Sequence, residues 1–422
     1  MSKVYTVAIL GVGGRGGEAY GSEFIKRPDK YKVVALCDFS ETKLEKYGER
    51  FGVEKALRFT DEGEFFKEKR ADVLAVCTLD KDHVRHAVAG LKLGYDLLLE
   101  KPVSDSREEC EELLAAQAKY GGRVCVCHVL RYAPAFVKVG ELLDEGRIGR
   151  LVTVESLEQV AYFHQAHSYV RGNWRRAEET TPMILAKCCH DLDLMQYYAG
   201  AKCLSVSSVG DLTFFTKENA PDGATTRCLD CPHKNDCPYS AKRIYIDRWF
   251  EQGKPENTWP QNVITTAYPL TEEAIYEAIE NGPYGRCVFA CDNDVVDHQI
   301  TQMRFENGVT ATLTMTAFTY GGGRETRLHG TLGEILLSEE RNLIEVRTFG
   351  DEVERIDLAD LTEGGYGHGG GDCKLVETLY DILEGNATER TSLAASIESH
   401  LMGIAAEESR KAGGSLVKIR KE

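Results

Sequence analysis

Three glycines near the start of the chain constrain its fold more than any other feature. Gly11, Gly13 and Gly16 stand as G-x-G-x-x-G in VAILGVGGRGGEAY, where an apolar run, residues 4–10, gives way to a stretch, 14–27, that can form a helix. In a strand–turn–helix unit the first glycine permits the tight turn, the second lets backbone approach a pyrophosphate, and the third lets helix pack close on strand. A helix opening near Gly14 points free N–H groups and the positive end of its dipole at an anion. A second apolar run, 33–37, ends in Asp38, about 20 residues beyond the last glycine, where an acid meets ribose hydroxyls. Its negative charge opposes a 2′-phosphate. The loop, with Gly14 and Arg15 inside it, predicts a dinucleotide site that prefers NAD to NADP.

The rest of the N-terminal third supports that reading. Short β-branched runs at 73–77, 96–99 and 124–127 alternate with helical patterns at 83–93 and 107–120, which predicts a parallel, doubly wound sheet. From about residue 150 the period changes to two, in LVTVESLEQV and in QITQMRFENGVTATLTMTAF with its Asn307–Gly308 turn, as expected of antiparallel strands in a large open sheet. Further strands are predicted at 325–329, 334–337 and 343–349, and helices return over 372–412. The chain is therefore read as α/β, with a dinucleotide-binding domain at 1–127 and a second α/β domain at 128–422, to which the resemblance described below assigns substrate binding and oligomerisation. Residues 205–285, rich in polar residues, Pro and Trp, read as an insertion.

The 422 residues suffice for two or three proper cores. A net charge of −16, from 51 basic and 67 acidic residues, argues against nucleic acid as a partner. No stretch approaches the roughly 20 apolar residues of a membrane helix, and the apolar run in MSKVYTVAILGVGG reads as a strand rather than a leader, so a cytoplasmic protein is expected.

Two constellations carry chemistry. Glu100-Lys101-Pro102 directly follows a predicted strand, and ligands of open α/β sheets gather beyond strand carboxyl ends. A lysine there can bond a substrate hydroxyl and the nicotinamide ribose together. In ILAKCCHDLDLMQYYAG, Lys187 and His190 form an i, i+3 pair on one face if the segment is helical. Hydride abstraction from an alcohol carbon needs a group to take the hydroxyl proton, and a histidine, helped by a lysine, suits that task. The competing reading is a buried histidine bonded to a neighbouring Asp.

Together these residues carry a resemblance. GVGGRG, LCDFS, TLDKDHVRHAVAGLKLGYDLLLEKP, EGRIGRL, HDLDL and HGTLGEI recur in the order seen in the Gfo/Idh/MocA oxidoreductases, the relatives of glucose-fructose oxidoreductase and inositol dehydrogenase, and span most of the chain. The resemblance implies a Rossmann domain followed by an α/β domain whose open sheet pairs subunits into dimers or tetramers. It also implies NAD(P)-dependent redox chemistry on a sugar, cyclitol or related polyol, with Lys101 and His190 at the reacting carbon and His83 near the nicotinamide. Thr78 and Glu100 join the implied cofactor set. Two departures stand out. Ala186 occupies the position where many members carry an Asp of the proton relay, with Lys187 one residue later, and Thr78-Leu79-Asp80 replaces the usual Thr-Pro-Asn. The proton acceptor is expected to be His190, then Lys187, then Lys101. Arg131, Tyr132, His167, Arg171 and Trp174, with His368 among the glycines of YGHGGGD, read as substrate-pocket residues. Some relatives are glycosidases that keep NAD bound and act through a transient 3-keto sugar; Lys187, Tyr132 or His368 could supply the extra base that cycle requires.

Fourteen cysteines in so long a chain do not read as a disulfide framework, and Cys37, Cys77, Cys125 and Cys127 lie in apolar runs as small hydrophobes. Cys228-x2-Cys231-x5-Cys237, in RCLDCPHKNDCPYSA, resembles a zinc knuckle. Cys287 is the preferred fourth ligand, with Cys291, Cys203 and His233 as alternatives. Iron–sulfur or redox chemistry would use the same thiols.

Overall fold

The computed structural model describes residues 3–361 and 368–420. Six strands form the first sheet: β1 (Tyr5–Leu10), β2 (Tyr31–Cys37), β3 (Arg58–Phe59), β4 (Val73–Val76), β5 (Asp96–Leu99) and β6 (Val124–Val126). Their order is β3-β2-β1-β4-β5-β6, all parallel. Strands covered on both faces must be apolar almost throughout, which is why VAIL, VLAV and DLLL carry so few polar residues. The order reverses between β1 and β4, and this opens a crevice at the carboxyl ends of the strands. Ser40 and Ser106 cap the helices Glu41–Phe51 and Arg107–Tyr120 by accepting from the backbone N–H of Lys43 and Glu109.

Nine strands form the second sheet: β7 (Leu151–Gln159), β8 (Cys203–Asp211), β9 (His298–Phe305), β10 (Thr310–Thr316), β11 (Gly323–Gly330), β12 (Gly333–Ser338), β13 (Leu343–Thr348), β14 (Glu354–Asp357) and β15 (Val417–Lys418). The order is β14-β13-β12-β11-β7-β10-β9-β8-β15, antiparallel except for the β7–β10 pair. Val154, Met303, Leu313, Leu328, Ile335 and Val346 fill one face against the helices Cys189–Ala199 and Leu393–Lys411. The other face is largely open, with Val152, Val209 and Ile300 in solvent.

Three expectations change. The glycine-loop helix is shorter than 14–27: a wide π-type turn, Gly14–Gly21, runs into Ser22–Ile25. It packs so closely that a Cβ at Gly17 or Gly21 would meet the rings of Tyr47 or Phe51 at 2.6 and 2.4 Å. The insertion begins later than 205, because β8 occupies 203–211; its SVSSVGD is too small and polar to show a strand period. Beyond it, Phe215, Ile244, Tyr245, Trp249, Ile275, Ile279 and Phe289 build a separate small core onto Ala166 and Val170. Finally, a boundary at 127/128 separates the sheets but not the cores. Helix Gly371–Leu383 packs Leu375, Val376, Leu379 and Leu383 on Tyr5, Phe24 and Tyr31, and Leu393 and Ile397 join Cys110, Leu113 and Val126. Residues 371–397 thus complete the cores of the first domain, while β15 returns to the second sheet. Among the described residues, no helix is long and apolar enough to cross a membrane.

Candidate active site

The glycine loop has the shape its spacing requires. Gly11 has φ +88°, and a Cβ on it would lie 2.4 Å from the Cys77 carbonyl oxygen; at Gly16 it would lie 2.0 Å from the oxygen of Gly11. Gly13 and Gly14 are the opposite case, since nothing stands within 4 Å of a Cβ on either. That opening faces outward from a turn whose neighbours are packed to contact, as a berth for a diphosphate should. Asp38, at the end of β2, accepts from the N–H of Val12 (2.9 Å) and of Ser40 (3.0 Å), so acid and loop are one hydrogen-bonded unit. These residues fit NAD. Arg15 turns away from the berth: Nε reaches Glu100 Oε1 (2.6 Å), Nη2 reaches Asp372 Oδ1 (2.7 Å), and it also meets the Tyr20 hydroxyl. Burial works against the Glu100 carboxylate, yet Arg15 and Lys101 hold its pKa below the ordinary value.

Two further loops close the crevice. Thr78 Oγ1 bonds His86 Nδ1 (3.0 Å), whose Nε2 meets Glu62 (2.7 Å). His83 is buried and does not face the crevice: its ring spans the carbonyl oxygens of Pro102 (2.7 Å) and Thr78 (3.1 Å), and so positions the Lys101 loop. Asp80 receives Trp174 Nε1 (3.2 Å) and the Thr181 hydroxyl (2.7 Å), which ties this loop to the second domain.

Lys101, at the carboxyl end of β5, sends Nζ to the carbonyl of Ala186 (3.0 Å) and so touches the segment that carries His190. That segment is not one helix. Met183–Ala186 ends, Lys187 and Cys188 break the turn, and Cys189–Ala199 begins anew. Lys187 and His190 therefore do not share a face. Lys187 Nζ pairs with Glu158 Oε1 (3.1 Å), a buried carboxylate that also meets Arg324 (2.8 Å), and Arg324 holds Asp191 (2.8 Å). This corrects the reading of Lys187 as a proton carrier: its charge is committed to a buried network. Asp191 is committed too, so His190 is not bonded to it. His190 is buried, its Nδ1 has no partner, and its ring lies 5.8 Å from that of His368. Burial, then Lys101, His128 and His368, hold its pKa well below the ordinary value, so the imidazole is neutral and able to accept a proton.

Ligand atoms of His128, Cys189 and His190 lie within 4.8 Å of one another. A dication there would sit beside the Lys101 ammonium, with Glu100 already taken by Arg15, and the cluster is better read as part of the proton site. His164 was not anticipated. It is half-buried against Trp259 (4.9 Å between rings), and burial followed by Lys187, His167, Lys101 and His368 keep it neutral. Nothing in YFHQAH distinguishes it from His167.

Most of the expected substrate residues turn inward. Arg131 pairs with Asp193 (3.4 Å), donates to the Arg390 carbonyl and stacks on Tyr197. Tyr132 is buried, with its hydroxyl on Thr391 Oγ1 (2.9 Å). His167 is buried on Tyr245 (2.9 Å) and Tyr284, and Arg171 donates to the carbonyls of Arg286 and Tyr239 (both 2.7 Å). Their partners lie inside the fold, with only Arg171 Nη1 left without one, which a basic or aromatic residue in a mixed segment does not reveal. Trp174 is half-buried and donates to Asp80, and His368, bonded to Asp372 (3.1 Å), keeps its ring beside that of His190; Tyr366 and Gly367 of the same motif lie outside the described residues. Cys228, Cys231, Cys237 and Cys287 meet elsewhere, in the insertion.

A dinucleotide crevice with a lysine and a neutral histidine at its mouth defines a nicotinamide-dependent oxidoreductase. Family models agree: residues 5–128 match an oxidoreductase family's NAD-binding Rossmann fold and residues 140–419 its C-terminal α/β domain. The chain belongs to this GFO/IDH/MocA family. It is 25% identical over 362 residues to the putative oxidoreductase YteT of Bacillus subtilis, covering 78% of this chain and 79% of that one. It is 25% identical over 262 residues to inositol 2-dehydrogenase 2 of Saccharopolyspora erythraea, covering 60% and 71%. A levoglucosan dehydrogenase solved with NADH and levoglucosan shares the fold at TM-score 0.70 and 19% identity, over 99% of this chain and 100% of that one.

Proposed function

We propose that the chain moves a hydride between NAD and a hydroxyl-bearing carbon of a sugar, cyclitol or related polyol. The observation that carries this is the meeting of Lys101, from the dinucleotide domain, with the His190 segment of the second domain through the Ala186 carbonyl. Bound NAD supplies the hydride acceptor. Lys101 donates hydrogen bonds to the substrate hydroxyl and keeps it at the crevice. As the carbon loses hydride, the hydroxyl proton passes to the neutral imidazole of His190 and the O–H electron pair becomes the carbonyl bond. In the reverse direction His190 returns the proton. Lys101 also opposes a second positive charge, so the imidazolium forms only transiently and gives its proton onward. His368 beside His190, with the half-buried Trp174 and His164, would offer an indole face and ring nitrogens suited to a polyol.

The names of the relatives, inositol and levoglucosan dehydrogenases, support a polyol substrate. The open face of the second sheet supports a homo-oligomer, dimer or tetramer, and fourteen unpaired cysteines fit the reducing cytoplasm. The test is a panel of free sugars and cyclitols with NAD, followed by NADH absorbance. Turnover of at least one member, lost in Lys101→Met while NADH still binds, is expected; turnover that survives Lys101→Met would refute the assignment.

A further inference from the structure

The four cysteines singled out by their spacing play no part in that chemistry, yet the fold gathers them. Cys228, Cys231, Cys237 and Cys287 line one cavity closed by Pro221 and Phe289, with about 20 Å³ open to a water-sized guest, room for one small ion. Backbone pairing delivers them. The N–H of Cys228 donates to Gly285 and that of Cys287 donates to Thr226, both at 2.9 Å, across an antiparallel bridge between Arg227 and Arg286. Tight turns bring in the other two, with Cys231 N–H on the Cys228 carbonyl (3.3 Å) and Cys237 N–H on that of His233 (2.9 Å). Cys203 and Cys291 do not line this cavity, and His233, which does, turns Nε2 elsewhere. His233 Nε2 bonds the Asp222 carbonyl (2.8 Å), Cys291 Sγ donates to the Cys287 carbonyl (3.2 Å), and Cys203 lies in β8 with its thiol on the carbonyls of Ser205 in β8 and Arg304 in β9.

Arg171 is the second, independent observation. It is 1% exposed, its Nη2 reaches Cys228 Sγ at 3.4 Å, and its Nη1 is buried without a partner. Among the described residues it forms no ion pair with a carboxylate; its acceptors are two carbonyls and that sulfur. A buried guanidinium needs an anion. Four neutral thiols supply none. Four thiolates around a dication carry two negative charges in excess, and Arg171 neutralises one of them. Four cysteines lining one cavity with no carboxylate among its lining match the donor types of a structural zinc site.

We propose that Cys228, Cys231, Cys237 and Cys287 hold one Zn²⁺, with Arg171 as its buried counter-cation. Binding exchanges four thiol protons for four Zn–S bonds with no change of oxidation state. Arg171 closes the helical segment Gln165–Arg171, so the metal pins the segment that follows His164 while leaving the NAD crevice alone.

Elemental analysis of the full chain, purified without chelator, tests this. About one zinc per chain is expected, falling below about a tenth in Cys228→Ser/Cys287→Ser. Should that variant not fold, cobalt exchange into the wild type decides: a thiolate-to-cobalt charge-transfer band with the red d–d bands of a tetrahedral site is expected, and NADH binding should be unchanged on metal removal. Three results would overturn the proposal. These are less than about a tenth of a zinc per chain after reconstitution, iron in its place, or zinc that survives the cysteine changes and is lost in His128→Ala.

Discussion

Replacing Lys187 with methionine separates two roles that its sequence position allows. Its ammonium lies 3.1 Å from a Glu158 carboxylate that is 1% exposed, and Arg324, 2.8 Å from the same carboxylate, is shared with Asp191. Without Lys187, two buried carboxylates depend on one guanidinium. Breaking a buried pair by removing one partner costs about 3–5 kcal/mol, and because Arg324 remains the lower end applies, about 3 kcal/mol. At roughly 2–4 °C per kcal/mol for large domains, Tm should fall by roughly 6–12 °C. Burial already pushes the Glu158 pKa up, so the carboxyl escapes by taking a proton and the deficit shrinks as pH falls. Glu158→Gln in the same chain should recover part of the loss. Activity tells the other half: kcat/KM well below Tm should stay within about tenfold of wild type, whereas a proton-transfer residue contributes about 10²–10⁴-fold. Scanning calorimetry and initial rates decide it. A Lys187→Met protein with wild-type Tm and a rate loss in that range would refute the structural role.

Other predictions follow from equally local features. A Cβ at Gly13 meets nothing, whereas at Gly16 it collides with the Gly11 oxygen; Gly13→Ala should keep its Tm and weaken NADH binding in a fluorescence titration, and Gly16→Ala should lower Tm first. His190 is held neutral, so kcat/KM for oxidation should not fall as pH drops to about 6.5, the ordinary imidazole value; an acid limb at or above that value would contradict its role. Burial lowers His128, His167 and His400 to about 3, so the unfolded chain binds more protons than the fold below about 6.5, and stability is lost as pH falls through that window. Asp193, raised to about 6 by burial, works the other way, gaining its proton in the fold first. These four groups alone contribute a loss of about 3 kcal/mol between pH 7.5 and 5.5, and His164 and His190, also held neutral, add to it; stability from urea unfolding that is equal at the two pH values would exclude neutral buried imidazoles.

The parts of the molecule that rest on local pattern were legible in the chain. Five strands of the first sheet were readable to within a residue or two because buried parallel strands are unbroken apolar runs, and the glycine loop because only glycine fits positions such as Gly11; β3, two residues long, carries no such run. The second sheet showed through its period of two except at β8, where SVSSVGD hides the alternation, and at the short edge strands β14 and β15. Side-chain direction was not legible. Arg131, Tyr132, His167 and Arg171 have the residue types of a sugar pocket, yet each finds its partners inside the fold, through residues distant in the chain such as Thr391, Tyr245 and Arg286. The break at Lys187–Cys188 carries no proline or glycine to announce it, and it leaves Lys187 paired with Glu158. The attachment of residues 371–397 to the first domain depends on which core has room, which periodicity does not encode.

Wild type and Lys101→Met, each confirmed to bind NADH, mixed with NAD and a panel of sugars and cyclitols, test the central claim most directly, with aryl glycosides in deuterated water run alongside without added cofactor. The account predicts NADH formation from at least one free polyol by the wild type, none by Lys101→Met, and no aglycone release. Release of aglycone with deuterium at sugar carbon 2, and no NADH from any polyol, would contradict it.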